Sequence, residues 1–450
     1  MRSASAGSQG LNGTQEQNQS PGDSNSAVSL PPSAVRLRAR VVLPICRPPI
    51  PNGAVAISGD RIVAVGRWGA LSSRFSGPVL DLGDSVLLPG LVNAHCHLDY
   101  THMAGQFPPP KTFTDWIKLI TATKAGWSYS EFAESWLAGA RMLLRTGTTT
   151  VGDIETVPEL LPEVWEATPL RVVSFFEMTG VRSRRQPKTM LREIIRRIQA
   201  LPQAQGRVGL SPHAPYSTQP ELVRISARLA RRHHWPLAIH LAESAQEFEM
   251  FTRGSGEMFD WLKRNERDMA DCGRGSPVQH LERCGALGPG LLAIHVNYLA
   301  KQDAALLARR EVNVVHCPRS HAYFQHAPFP LKQLAKAGIN ICIGTDSLAS
   351  VYKRRREVVE LNLFEEMRAF ASGHPHLPAR RVLPMVTTNA ARALGLPGRV
   401  GELSKQASAD LIAIPFAGKR ADVYEAVLNH RGEVAASMVK GQWAISPGSN

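Results

Sequence analysis

Short apolar runs recur along the middle of the chain, each giving way to a polar or helix-patterned stretch. They are LLPGLVNAH (87–95), GTTTVGDIE (147–155), LRVVSFFEM (170–178), RVGLSPH (207–213), PLAIHLAE (236–243), LLAIHVN (291–297), VNVVHCP (312–318) and INICIGTDS (339–347). Runs this short and this rich in branched apolar residues read as strands buried on both faces. Between them, 131–145, 189–200, 219–233, 302–310 and 330–337 carry helical patterning. Strand and helix alternating eight times predict an α/β fold, a (β/α)8 TIM barrel, rather than an open sheet.

Outside 89–395 the pattern changes. VRLRARVVL (35–43), GAVAISGDRIVAVG (53–66) and PVLDLGDSVLLPG (78–90) are strands separated by turn residues, and ADLIAIPF (409–416) and VAASMVKGQWAIS (434–446) repeat that texture at the other end. Residues 34–88 and 396–450 are therefore expected to form one small discontinuous β-sandwich domain. Residues 1–33, dominated by Ser, Gly, Asn and Gln, are expected to be disordered, because they bury too little apolar surface to offset their ordering entropy.

Composition narrows the setting. A chain of 450 residues with 43% hydrophobic and 20% charged residues suits a large barrel with a satellite. No apolar run approaches the roughly 20 residues that span a bilayer, and the first residues lack the apolar core of a secretory signal. A cytoplasmic protein without membrane contact is the expectation. The six cysteines are scattered with no CxxC, which argues against a disulfide framework and a cysteine zinc site. The net charge of +14 sits in dispersed clusters such as RSRRQPK (182–188) and KRRRE (353–357) without interleaved aromatics. These read as a solvated basic surface, not a nucleic-acid site.

The chemistry gathers at the ends of the predicted strands. In NAHCH, strand alternation puts His95 and His97 on one face and Cys96 on the other. Taken alone, two packed histidines explain this equally well. However, His213, His240 with Glu243, His295, His316 and Asp346 end other runs at the same position. In a barrel those ends converge on one mouth, where neutral imidazoles and carboxylates make a metal site.

Six motifs, NAHCHLD, SPHAPYS, HLAE, IHVN, HCPRS and GTDS, stand in the order seen in the amidohydrolase superfamily, and the chain resembles its mononuclear deaminase branch. That branch includes cytosine, guanine, S-adenosylhomocysteine and aminodeoxyfutalosine deaminases and the triazine hydrolases. The resemblance implies His95, His97, His240 and Asp346 as ligands of one Zn²⁺ per subunit, a set that Fe²⁺ also accepts. It implies Glu243 as the proton shuttle, His295 and Asp346 as the groups that orient water and serve the leaving amine, and His213 as a substrate contact. Binuclear relatives carry a bridging lysine on strand four; RVGLSPH has none. The expected reaction is hydrolytic deamination of a small amino-substituted heterocycle, with cleavage of a chloro-triazine or a cyclic amide as the alternative. The relatives are often dimers, which leaves a homodimer open.

Two segments are expected to choose the substrate. YTHMAGQFPPPKTFTDWI (100–117) offers Trp116 and Phe113 for stacking on a flat ring. In HCPRSHAYFQH (316–326), Cys317 and His321 depart from the HNPxSN pattern of the S-adenosylhomocysteine and triazine enzymes. Arg319 is placed there to meet a carboxylate, such as that of aminodeoxyfutalosine, or else to make a structural ion pair.

Overall fold

The computed structural model describes residues 33–181, 186–201 and 207–448. The expected disordered tail, apart from residue 33, lies outside the described residues. Five strands come first: β1 (Val35–Val42), β2 (Ile50–Ser58), β3 (Arg61–Arg67), β4 (Val79–Asp81) and β5 (Ser85–Pro89). The barrel strands follow: β6 (Leu91–Cys96), β7 (Thr148–Glu155), β8 (Arg171–Met178), β9 (Arg207–Pro212), β10 (Leu237–Leu241), β11 (Leu291–His295), β12 (Asn313–His316) and β13 (Asn340–Ile343). The chain ends with β14 (Leu411–Pro415), β15 (Ala436–Val439) and β16 (Gln442–Ile445).

β6 to β13 pair in sequence order, every pair parallel, as short crossovers through helices dictate. The ring closes at a seam between the first and last strands. Cys96 bridges Asp346, and the Thr345 N–H donates to the His95 carbonyl at 3.0 Å. Asn93 laces the same seam, its amide donating to Thr345 Oγ1 at 2.8 Å while its carbonyl oxygen accepts from Thr345 N at 3.1 Å. Gly344 makes this approach feasible, since a Cβ there would stand 2.7 Å from the His95 carbonyl oxygen.

Val92 and Ala94 lie in an interior cluster with Ile154, Phe175, Leu292 and Ile294, closed below by Ala390 and Leu394. Strict alternation from Ala94 would turn His95 away from that interior. The pairing of β6 with β7 slips between Asn93 and Cys96, and past the slip Cys96 packs with the helix-facing core instead. A bulge re-aims side chains in this way.

Helices cover the outside. Tyr129–Arg145 starts at a capping box of Ser128 and Glu131 and buries Trp136, whose indole N–H donates to Asp153 Oδ2 at 2.8 Å. Part of the expected substrate loop is itself a helix, Phe113–Ala125, capped by Thr112. Three more helices, Ala245–Arg253, Glu257–Arg264 and Pro277–Arg283, fill the long connection after β10.

The terminal segments join in one mixed sheet, ordered β16-β15-β14-β5-β1-β2-β3, with β4 beside β1. Leu37, Val55, Ile62, Leu87, Leu411 and Met438 share a core within it. The run at 87–95 therefore divides: Leu87, Leu88 and Pro89 pair with Ala413, Ile412 and Leu411 in this sheet, and only the part after Gly90 enters the barrel. Arg171, at the start of β8, ties the two bodies through Asp410, with contacts of 3.0 and 3.1 Å.

Candidate metal centre

Four barrel strands deliver the convergent side chains. The slip in β6 presents His95 and His97, β10 presents His240, the end of β11 presents His295, and the turns after β10 and β13 present Glu243 and Asp346. Ala242, His295, Val296 and Asp346 all take positive φ (49°, 74°, 50° and 55°), an uncommon conformation for residues with a Cβ. Such turns persist where their surroundings over-determine them. Glu247 does this after β10, its two carboxylate oxygens accepting from Ala242 N at 3.1 Å and Glu243 N at 2.8 Å.

His95, His97 and His240 are buried, and their ligand atoms lie within 4.8 Å of one another. His97 Nε2 is 3.4 Å from His240 Nε2, and Asp346 Oδ1 is 3.5 Å from His95 Nε2 and 3.7 Å from His97 Nε2. His240 Nδ1 donates to the His213 carbonyl at 3.1 Å, which turns its Nε2 lone pair towards the group. Among the described residues, neither nitrogen of His95 nor Nδ1 of His97 has a hydrogen-bond partner. Buried polar nitrogens rarely go unpaired, and a divalent metal would satisfy the inward-facing set.

The electrostatics agree. Burial first, then the neighbouring imidazoles, pushes the His240 pKa down to about 3 and that of His97 well below its usual range. Both rings are thus neutral and able to donate a lone pair. Burial alone would raise the Asp346 carboxyl, but His95, His295 and His97 outweigh it and hold it well below the usual carboxylate range. Glu243 goes the other way: burial, then the Asp346 and Glu247 carboxylates, raises it strongly. Its Oε1 lies 3.4 Å from His295 Nε2.

The group sits in a cavity of about 610 Å³, whose walls include Tyr100, Phe113, Trp116, Lys124, Glu177, His213 and Tyr216. Phe113 and Trp116 stack at 5.9 Å, giving one aromatic side. His213 lines the same cavity, its ring 4.7 Å from that of His240. Arg319 does not. Its guanidinium is held by the fully buried Glu366 carboxylate at 2.5 Å and by the Glu360 carbonyl at 2.7 Å, outside the cavity wall, so the structural ion pair is the reading that stands. His316 also stays away, stacked on Phe329 at 3.9 Å. Lys124 and Glu177 escaped the sequence reading. Glu177 ends the third run, as the histidines end theirs, and that position was its available signal.

The amidohydrolase family profile matches residues 86–444, and a profile for a bacterial imidazolonepropionase-like composite domain matches residues 53–75. A 5-methylthioadenosine/S-adenosylhomocysteine deaminase of Syntrophobacter fumaroxidans is 33% identical over 81% of this chain and 80% of its own. A 5'-deoxyadenosine deaminase of Methanothermobacter thermautotrophicus is 29% identical over 79% and 80%. Among solved structures, an adenosine deaminase from Xanthomonas campestris with bound zinc superposes with a TM-score of 0.79 at 24% identity, covering 92% of this chain and 93% of that one. The Helicobacter pylori aminofutalosine deaminase gives 0.80 at 21% identity, over 91% and 100%. At these identities the structural likeness establishes the barrel and its added sheet.

Proposed function

The chain belongs to the amidohydrolase family, as a metal-dependent hydrolase of carbon–nitrogen bonds other than peptide bonds, and on that premise we propose that it is a zinc-dependent deaminase of an amino-substituted heterocycle. The observation that carries the reading is the convergence of three buried imidazoles with the Asp346 and Glu243 carboxyls, whose pKa values are shifted in opposite directions, in one aromatic-walled cavity. The similarity to deaminases of adenosine-type nucleosides supports a nucleoside as the substrate.

In this reading His95, His97, His240 and Asp346 would hold the metal, which when bound would supply a water of lowered pKa near neutral pH. The water adds to the ring carbon that bears the amine. Glu243 takes one of its protons and delivers it to the adjacent ring nitrogen. His295, beside Glu243, orients the water together with Asp346. Asp346 passes the second proton to the amine, the carbon–nitrogen bond breaks, and ammonia leaves a ring carbonyl behind. Each transfer is general acid–base work by a positioned carboxyl. Trp116 and Phe113 stack on the ring and His213 contacts it.

The test is ammonia release by the zinc-loaded protein from 5'-methylthioadenosine, 5'-deoxyadenosine, S-adenosylhomocysteine, aminodeoxyfutalosine, guanine, cytosine and amino-triazines. Turnover of one member with kcat/KM near or above ~10⁴ M⁻¹s⁻¹ is expected. Silence across the panel from a protein shown to hold its metal would overturn the deaminase reading.

A further inference from the structure

The cavity has a second polar pole, which the deamination chemistry does not use. Glu177, with its side chain 7% exposed, faces the cavity from the end of β8. It accepts no hydrogen bond from any described side chain. Its closest charged neighbours stand off, His213 Nε2 at 3.8 Å from one oxygen and Lys124 Nζ at 3.9 Å from the other. A carboxylate so enclosed is costly unless donors reach it.

His213 does not supply the donor. Its Nδ1 is 2.6 Å from Ser217 Oγ, and its Nε2, at 3.8 Å from Glu177, is beyond hydrogen-bond reach of the carboxylate. Lys124 spends one N–H on Tyr100 Oη at 3.0 Å, and Tyr100 Oη is itself 2.9 Å from Thr156 Oγ1. The remaining Lys124 donors are free for an acceptor in the cavity.

We propose that Glu177 and Lys124, beside His213, form a subsite for two neighbouring hydroxyl groups carried by the heterocycle. Each hydroxyl both donates and accepts. One pair of them supplies a proton to Glu177 and offers an oxygen to Lys124. A carboxylate or phosphate would suit Lys124 but would meet the Glu177 charge, and an ammonium would have the reverse problem. The inference deepens the deaminase reading and rests on it.

The experiment is calorimetric titration of the zinc-loaded Glu243→Gln protein, whose turnover should be slow enough to measure binding, with 5'-deoxyadenosine and with its analogue lacking both ring hydroxyls. A site built to hydrogen-bond hydroxyls rejects an analogue without them strongly, so a preference of about 100-fold or more is expected. Adding Glu177→Gln should cut that preference by at least about tenfold at unchanged zinc content. Equal affinity for the two ligands, or no binding of either, overturns the subsite. Ammonia release from a free base or a triazine in the panel would still uphold the deaminase reading. The comparison of ligands on a protein with Glu177 intact stands even if the double variant does not fold.

Discussion

Glu243 and Asp346 are two carboxyls in one buried site, pushed in opposite directions by their neighbours. The imidazoles around Asp346 lower its pKa against the effect of burial, while burial and the neighbouring carboxylates raise that of Glu243. Paired groups displaced in this way divide donor and acceptor work between them. Glu243→Gln should therefore lower kcat by about 10³-fold or more while leaving zinc content unchanged by elemental analysis. Substantial residual turnover would remove the shuttle role. At this scale the sequence was most informative where one strand end carries its own signal, as at His95, His97, His240 and Asp346. It was least informative where the partner is remote. Nothing near Arg319 indicates that Glu366, on a later helix, takes its charge, or that Lys124 and Glu177 meet across a cavity.

The eight strands were legible because each is a short apolar run with a polar end, and that pattern survives without knowledge of neighbours. The slip in β6 was not, because it exists only in the pairing with β7, and the sheet membership of Leu87–Pro89 depends on a partner at the far end of the chain. The helices after β10 were also missed. They stand on a connection anchored in part by one buried side chain. Arg267, nearly inaccessible, donates to the carbonyls of Pro215 and Tyr216 and pairs with both oxygens of Asp271 at 2.8 Å, pinning the loop that presents Tyr216 to the cavity. Burial opposes the Asp271 charge, but the Arg267 guanidinium outweighs it and lowers the pKa. A carboxyl lowered on folding stabilises above its unfolded pKa, and that contribution is lost as pH falls through the folded value. Asp271→Asn should thus cost about 3 kcal/mol near neutrality. The gap from the parent in denaturant melts should narrow below about pH 4, where the unfolded carboxyl protonates. A gap independent of pH would show that the pair is not its source.

Across the whole molecule, the small sheet encloses the chain termini of the barrel and fixes β8 to itself through Arg171 and Asp410. Among the described residues no helix is long and apolar enough to cross a membrane. An ion bound only by the folded form stabilises it by about 4 kcal/mol when present at a thousand times its dissociation constant. Chelation should therefore lower the melting temperature, and added zinc should restore it. An unchanged melt on confirmed loss of metal would show that the histidine group does not hold the ion.

The seam at Gly344 has a consequence for how the protein matures. His95 lies on the first barrel strand, His97 just past its end, and Asp346 follows the last strand, so the proposed ligand set spans nearly the whole barrel sequence. A nascent chain that has made β6 holds two imidazoles and no counterpart, and seven more strands must form before the ring can shut. Joining such distant segments is entropically slow. On the proposed reading, an ion held by this set would join the two ends of the barrel sequence and work as a clasp. A chain folding without the metal should then close the edge between β6 and β13 more slowly.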